Sequence, residues 1–366
     1  MQGMKWQSYK KAMVSMVAMV SMVSIVAMVS IVSIVSMVFM VACSGGERQT
    51  KRVGSTTQSA PYELLIVGDK GWLETQNGAT LKELLESDIP GLPQSEKNFK
   101  VLTVNPGSFN KRFQVFANIV MVDVGKHVEK PGLRIAKDVY AHPQNVLTIS
   151  ARNGDEFAEL VERNRQQILN IFIDAELERE LSYLRKKHSK VVLEQVKAQF
   201  GYEVFVPEDI NSVKPGKDFL WASSTKRENA LNFCIYTYPF ERLAVSGERL
   251  AENIQEQIFT LENFLAQRNE VMKENIQGYH EGQYMTTQEF GLVSEVMMYN
   301  GQPVQRVCGL WEMEHDAMGG PFVSYVQIDS TRQQVVVTEG FVFAPEKRKR
   351  ELIREMEAAL RSLSRA

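Results

Sequence analysis

The chain contains few of the residues that usually build a catalytic or metal-binding site. Its five histidines are scattered, and no two of them stand at the spacing of a metal-ligand pair. A Gly-x-Ser-x-Gly nucleophile motif and a phosphate loop ending in Gly-Lys-Ser or Gly-Lys-Thr are also absent from the sequence. An enzyme is therefore the less expected class, although catalytic groups can converge from distant positions, and no cofactor is predicted.

The sequence also has no excess of positive charge. Its 42 Lys and Arg residues are balanced by 44 Asp and Glu residues, which gives a net charge of −2. Nucleic-acid binding depends on neutralising phosphates with clustered Lys and Arg. We therefore expect no nucleic-acid partner.

Cysteine is scarce, with only Cys43, Cys234 and Cys308 in the chain. Cys234 and Cys308 fall in strand patterns of the second half, and in an oxidising compartment they could form a disulfide bond. Two buried free thiols are the alternative. The two residues are too far apart in sequence for a Cys-x-x-Cys redox motif.

The chain does have, at its start, the layout of a bacterial lipoprotein signal. Lys5, Lys10 and Lys11 precede an uncharged apolar tract that ends directly before Cys43. The sulfur of such a cysteine accepts a diacylglyceryl group, and cleavage frees its amine for a further acyl chain such as palmitate. Each buried methylene contributes about 0.8 kcal/mol, so several chains anchor a protein permanently. We predict a signal peptide over residues 1–42 and lipidation at Cys43.

An uncleaved transmembrane anchor is the alternative for this segment. The uncharged tract, residues 12–42, is 31 residues long. Ordinary signal peptides have an apolar region of about 7–15 residues, and a membrane span needs about 20. The tract is nearly a triplet repeat of the Met-Val-Ser type, and a helix of this composition would be apolar on all sides, as lipid requires.

A flexible tether is predicted for residues 43–60, which are rich in Ser, Thr, Gln and basic residues and lack an apolar period. The folded part would then be held at the membrane by the N-terminal lipid. Only one acid, Glu47, follows the lipidated cysteine closely. We therefore expect an anchor in the outer membrane of the cell envelope that faces the periplasm.

The rest of the chain alternates short strands with helices. In the first half, apolar patterns predict helices at 79–86 and from 154 to about 200, and strands at 62–67, 100–104, 113–124, 133–139 and 145–150. Gly201 is expected to end the long helix, because glycine adopts the left-handed conformation found at helix C-termini.

The second half repeats this order of elements. Helices are predicted at 248–271 and 345–363, a hairpin turn at Asn300-Gly301, and strands at 232–238, 292–299, 304–313, 322–328 and 334–343. The sequence therefore predicts an α+β fold of two α/β-sandwich-like units, each a mostly antiparallel sheet with packed helices. We assign the units to residues 61–201 and 202–366, with a linking segment at 202–221. Their shared order raises the hypothesis of an internal duplication.

Six short segments resemble a known protein family. They are Gly91-Leu92-Pro93-Gln94-Ser95-Glu96, Phe205-Val206-Pro207, Phe219-Leu220-Trp221, Gly309-Leu310-Trp311, Met318-Gly319-Gly320-Pro321-Phe322 and Glu339-Gly340-Phe341-Val342-Phe343-Ala344-Pro345. These segments are similar to an uncharacterised lipoprotein family of Bacteroidetes, domain of unknown function 4837. The resemblance covers most of the chain after the signal. It implies a lipoprotein with an α+β body and no particular activity.

Two groups of side chains are candidates for a site. Glu312, Glu314, His315 and Asp316 could bind a divalent metal or form an acid–base pair, and a solvated hairpin end is the alternative. Aromatic residues on predicted strands could line a ligand groove, and burial in the core is the alternative for them. These aromatic residues are Trp221, Phe233, Tyr236, Tyr238 and Trp311.

Two classes of function follow from these observations. The favoured class is a non-catalytic lipoprotein of the cell envelope that binds an unidentified envelope partner or ligand, such as a protein, a glycan or a lipid. The alternative class is a metal-dependent periplasmic hydrolase that uses Glu312, Glu314, His315 and Asp316.

Overall fold

The computed structural model describes residues 55–225, 230–240 and 254–366, which belong to one compact unit, Arg52–Ala366. The predicted signal peptide, Cys43 and most of the predicted tether lie outside the described residues. In the described part of the chain, no helix is long and apolar enough to cross a membrane. Two main sheets with packed helices form this part, which confirms the predicted α+β class.

The first sheet belongs to the N-terminal half. Its strands are β1 (Glu63–Val67), β2 (Lys100–Val104), β3 (Asn118–Val124), β4 (Gly132–Lys137) and β5 (Asn145–Ala151), in the order β2-β1-β3-β5-β4. Only β4 is antiparallel to its neighbour, and the other pairs are parallel. Parallel neighbours need a crossover connection. Helices α1 (Lys70–Leu73) and α2 (Gln76–Leu85) provide it between β1 and β2.

Both faces of the first sheet are covered. One face packs against α2, α3 (Gly154–Arg163) and α4 (Arg165–Leu184). The opposite face is covered by aromatic side chains from connecting segments, among them Phe113 and Phe116. The strand predicted at 113–124 therefore begins only at Asn118, because these two side chains fold over the sheet instead of extending it.

The long helix predicted from residue 154 is three helices, α3, α4 and α5 (Lys190–Phe200). The first break is at Asn164, whose side-chain amide donates to the carbonyl of Leu160. The second break precedes Ser189, which caps α5 by accepting a hydrogen bond from the backbone N–H of Val192. Gly201 ends α5 in the left-handed conformation with φ of 72°, as predicted.

The second sheet is antiparallel throughout and is curled. After β6 (Tyr202–Glu203), its strands are β7 (Ile210–Gly216), β8 (Phe219–Ser224), β9 (Ala230–Pro239), β10 (Met285–Thr287), β11 (Val293–Tyr299), β12 (Gln302–Met313), β13 (Gly319–Asp329) and β14 (Gln334–Phe343). The order is β10-β12-β13-β14-β9-β8-β7, and β11 pairs with β12 on the same side as β10. A short β15 (Ser364–Arg365) pairs with β6.

Two features of this sheet differ from the prediction, and one agrees with it. The segment predicted as a linker contains the β7–β8 hairpin, which turns at Asp218 with φ of 52°. The Asn300-Gly301 hairpin turn is confirmed, since both residues have positive φ. The hypothesis of a duplication is not supported, because the first sheet is mainly parallel and the second is entirely antiparallel.

Helices cover both faces of the second sheet. One face, here the α7 face, packs against α6 (Ile254–Ile258) and α7 (Leu261–Asn275). The predicted helix at 248–271 is interrupted at Thr260, which caps α7, and residues 248–253 lie outside the described residues. The opposite face packs against α5 and α8 (Arg350–Leu360), and α8 also contacts α4 of the first half.

The buried helix α8 receives its N-terminal cap from the first half of the chain. Its predicted start was Pro345, but the helix begins at Arg350. There the Glu96 carboxylate accepts hydrogen bonds from the backbone N–H groups of Lys349 at 2.6 Å and Arg350 at 3.1 Å. The N-terminal N–H groups of a helix have no partner within it, so Glu96 supplies what α8 lacks.

A buried ion-pair cluster also joins α8 to other parts of the chain. Glu357 on α8 accepts from Arg306 on β12 at 2.5 Å and from Arg354 at 2.7 Å, and Arg354 also donates to Asn98 at 3.1 Å. Burial disfavours the ionised carboxylate, but the two guanidinium charges outweigh it and hold the pKa of Glu357 well below its usual range. The charge of Glu357 is thus balanced by Arg354 in the same helix and by Arg306 on β12.

Replacing Glu96 should destabilise the whole compact unit. The Glu96→Ala substitution leaves two N–H groups at a buried helix end without an acceptor, which costs about 1–3 kcal/mol. We expect the urea midpoint of unfolding to fall accordingly. Glu83→Ala, at an exposed position of α2, is the control and should change stability little. Equal stabilities of the two variants would contradict the capping role.

Candidate functional site

A cleft of about 560 Å³ opens on the α7 face of the second sheet. Its floor is made of four aromatic side chains, Trp221 from β8, Trp311 from β12, and Phe341 and Phe343 from β14. Phe341 and Phe343 point to the same face because side chains alternate along a strand. We call this site the aromatic cleft.

Trp311 lies at the centre of the floor and is 2% exposed. Its indole N–H donates to the carbonyl of Val342 on β14 at 3.2 Å, so the side chain crosses β13 to reach that strand. β13 passes beneath the Trp311 side chain at Gly320. A Cβ atom there would lie 2.0 Å from the Val342 carbonyl oxygen and 3.1 Å from the indole nitrogen. The absence of a side chain at Gly320 is therefore required for this arrangement.

The other rings form a continuous surface with Trp311. The ring centroids of Trp311 and Phe341 are 5.6 Å apart, and those of Trp221 and Phe341 are 6.5 Å apart. Trp221 is fixed by its indole N–H, which donates to the Asn232 side chain at 3.1 Å. The Asn232 amide nitrogen in turn donates to the carbonyl of Ala230. The floor is thus rigid, and the polar group nearest to Trp221 is already occupied.

The walls and mouth of the cleft are mostly apolar, and their polar residues are uncharged, namely Ser223, Ser224, Thr225, Asn232 and Gln277. Ile276, Met285 and Met313 are buried in the walls, while Met318 is 40% exposed and Tyr279 is 95% exposed at the mouth. No Asp, Glu, Lys, Arg or His belongs to the described lining of the cleft. A charged ligand group would lose its hydration there without gaining a partner, which is costly. The cleft is suited to a neutral, largely apolar group.

A fully buried ion pair fixes α7 beside the cleft. Arg268 on α7 makes two hydrogen bonds to the Glu339 carboxylate on β14, at 2.8 and 2.7 Å. Glu339 also accepts from Ser324 at 2.6 Å, and Arg268 donates to Thr287 at 2.7 Å. Both charged side chains are 0% exposed. They are therefore out of reach of a ligand, and their effect is to hold the helix on the sheet.

The predicted metal or acid–base group is not brought together. Glu312 accepts from Gln288 at 2.8 Å, while Asp316 accepts from Gln283 at 3.3 Å. Glu314, His315 and Asp316 lie beyond the end of β12, and the His315 ring is 3.8 Å from the Glu314 carboxylate. Within the ranges that the structure describes, no three His, Cys, Asp or Glu side chains are placed to hold a metal ion. The hairpin-end interpretation fits this geometry.

Cys234 and Cys308 are free and buried, which agrees with the free-thiol alternative and not with the possible disulfide. The two residues lie on β9 and β12, which are separated by β14 and β13. Three strand spacings amount to roughly 14 Å, about twice the greatest Cα separation that a disulfide can bridge. Their side chains also belong to the cores on opposite faces of the sheet. Cys43, the predicted lipidation site, lies outside the described residues.

Of the five predicted aromatic residues, Trp221 and Trp311 line the cleft. Tyr236 and Tyr238 are in the core under α7, and Phe233 is in the core on the opposite face. The sequence reasoning missed Phe341 and Phe343. Their alternation in Glu339-Gly340-Phe341-Val342-Phe343 could have indicated two rings on one face of a strand.

Two family models match different parts of the chain. Residues 189–362 match a family described as domain of unknown function (DUF4837), and residues 57–185 match a second one, domain of unknown function (DUF8532). The resemblance predicted for most of the chain is thus found over residues 189–362, and the segment 91–96 lies in the second match. No curated protein matches the sequence.

Comparison of structures gives weak likenesses. A crystal structure from Bacteroides thetaiotaomicron VPI-5482 aligns with a TM-score of 0.23 and 11% identity over 45% of this chain and 45% of the other. The human StarD13 (DLC2) lipid transfer and protein localization domain aligns with a TM-score of 0.17 and 7% identity over 47% of this chain and 91% of the other. Likenesses at these TM-scores carry no conclusion about function.

The two buried thiols should react only when the chain unfolds. Burial raises the pKa of Cys234 and of Cys308, which disfavours the reactive thiolate. In a Cys43→Ala variant these are the remaining cysteines. We expect slow reaction with Ellman's reagent in buffer and two thiols per chain in denaturant without reductant. A count of zero thiols in denaturant would show a disulfide and contradict the structure.

Proposed function

Residues 189–362 match the family described as domain of unknown function (DUF4837), and this description assigns no activity. From the chain's own residues and geometry we propose that the protein is a non-catalytic lipoprotein of the cell envelope. Its N-terminal lipid holds it at the membrane, in an orientation that faces the periplasm. Its aromatic cleft binds a neutral, largely apolar ligand such as an acyl chain.

The anchor is supported by the sequence alone. The basic start, the long apolar tract and Cys43 occur in the order that a lipoprotein signal requires. The segment from Cys43 to Ser55, the first described residue, spans twelve peptide bonds. Fully extended, such a segment reaches about 40 Å. The folded part would therefore stay within that distance of the membrane surface at its point of attachment.

The uncharged lining of the cleft is the observation that carries the binding proposal. Small-molecule sites are commonly concave, apolar and aromatic, with a few placed polar groups, and have volumes of about 300–1,000 Å³. The aromatic cleft has these properties. A glycan would require several available hydrogen-bonding groups. The polar residues of the lining are few, namely Ser223, Ser224, Thr225, Gln277 and Asn232, and the Asn232 amide is engaged by Trp221 and Ala230. An apolar ligand requires no such groups.

The hydrolase alternative lacks comparable support. It would need Glu312, Glu314, His315 and Asp316 at one point. His315 and Glu314 are 3.8 Å apart, but Glu312 and Asp316 accept hydrogen bonds from two different residues, Gln288 and Gln283. We therefore propose no catalytic step for this chain.

Intact mass of the detergent-extracted membrane form tests the anchor. We expect the mass of residues 43–366 plus acyl chains, because cleavage and acylation at Cys43 remove the apolar tract and add lipid. A Cys43→Ala variant should lose the acyl mass. An unmodified mass that includes residues 1–42 would instead show a transmembrane anchor and contradict the lipoprotein proposal.

A neutral fluorophore, phenylnaphthylamine, tests the cleft. Its fluorescence should rise when the detergent-free protein binds it, and a Met318→Glu substitution should weaken binding about tenfold or more. This change places a carboxylate at the apolar mouth, and tenfold corresponds to about 1.4 kcal/mol. Because Met318 is 40% exposed, the substitution should leave the fold intact.

Ile135→Glu is the matched control for this experiment. Ile135 is 46% exposed on β4 of the first sheet, away from the cleft, so its substitution adds the same charge to a similarly exposed apolar position. We expect its affinity for the fluorophore to equal that of the unaltered protein. Equal weakening by both substitutions, or no binding by the unaltered protein, would contradict the cleft as the binding site.

A further inference from the structure

The two edges of the second sheet differ in their protection against pairing with another strand. The edge at β7 contains Lys214 and Pro215, and its register with β8 is interrupted between Ile210 and Ser212. Lysine, proline and bulges are devices by which proteins block an edge strand. This edge is therefore closed to further strands.

The edge at β11 has none of these devices. It is seven residues long, contains neither lysine nor proline, and pairs with β12 in an unbroken register. Among the described residues, nothing pairs with its outer side. A long, regular and unpaired edge strand offers a row of N–H and C=O groups to another strand.

Apolar side chains are exposed along the same strand. Val296 is 56% exposed and Met298 is 67% exposed, and both point to one face because they are two residues apart. The single charged residue of β11, Glu295, is already paired with Arg306 at 3.1 Å. The strand thus combines open hydrogen-bonding groups, an apolar face and a single charge that Arg306 of β12 balances.

We propose that β11 pairs with the β11 strand of a second copy of this chain, antiparallel about a two-fold axis at Met297. The two sheets then form one continuous sheet across the interface. A two-fold axis brings the same surface of both copies together, so the strand must be complementary to itself. The sequence of β11 meets this requirement when Met297 lies on the axis.

Three registers can be compared by the residues that they place opposite each other. Centred on Met297, the register sets Val296 opposite the partner subunit's Met298, so that both exposed apolar side chains of each copy are covered. A register centred on Glu295 would place this carboxylate opposite the partner subunit's Glu295, and like charges directly opposite each other are destabilising. A register centred on Val296 would set Met298 opposite the partner subunit's Ser294. The first register is therefore the complementary one.

Sedimentation equilibrium of the full chain in density-matched detergent tests the proposal. We expect a dimer for the unaltered protein, and at least a tenfold rise in the dimer dissociation constant for Val296→Lys, because an edge lysine blocks pairing. The control Ile135→Lys, on the charged edge strand β4, should remain dimeric. A monomeric unaltered protein, or a dimer that Val296→Lys leaves unchanged, would overturn the proposal.

Cysteine cross-linking in membranes tests the register independently. Residues directly opposite in an antiparallel pair have Cα atoms about 4.5–5.5 Å apart, within the range of a disulfide. Met297→Cys should therefore give a disulfide-linked dimer, whereas Met298→Cys should not, because its two copies lie diagonally. A cross-link through Met298→Cys alone, or none at either position, would overturn the proposed pairing.

Discussion

A helix that buries polar as well as apolar side chains must find partners for its polar groups, and α8 is such a helix. Ile353, Met356 and Leu360 are at most 6% exposed, and so are Arg354 and Glu357. The free N–H groups at its start would cost about 1–3 kcal/mol if left unpaired, and the charge of Glu357 would cost more. Glu96, Asn98 and Arg306 meet these needs from outside the helix. The connection between the two sheets depends on this requirement.

The position of the segment Gly91–Glu96 is determined by the same requirement. Gly91 has φ of 77° and lies so close to β12 that a Cβ atom would be 3.0 Å from the Gly309 nitrogen. Pro90 also accepts a weak hydrogen bond from the Cys308 thiol at 3.8 Å. A loop of the first half is thus pressed against the second sheet, in the position from which Glu96 caps α8. Its sequence is explained by contacts within the molecule.

Local apolar patterns were sufficient to predict the bounds of β2 and β14, and β14 is buried along nearly its whole length. Such patterns were insufficient where contacts between distant parts of the chain determine the structure. The start of α8 depends on Glu96, which is 253 residues from Lys349 in the sequence, while Pro345 is only a local signal. Two alternatives stayed open for Cys234 and Cys308, because their pairing depends on strand order and on the face to which each side chain points. Trp221 and Trp311 were identified as candidates. Predicting that Phe341 and Phe343 lie beside them would require knowing which strands are adjacent.

The position of α8 in the sequence also determines when the core can be completed during synthesis of the chain. The helix ends at Leu360, and it contributes to the core between the second sheet and α4. Contacts between distant parts of a chain form slowly, because their loops must be closed first. A chain synthesised from its N-terminus therefore cannot complete this core until α8 has been synthesised. Until then Glu96 and Arg306 lack their partners on α8, and the core surface that α8 covers is exposed. Exposed apolar surface of this kind is what chaperones bind in unfinished chains.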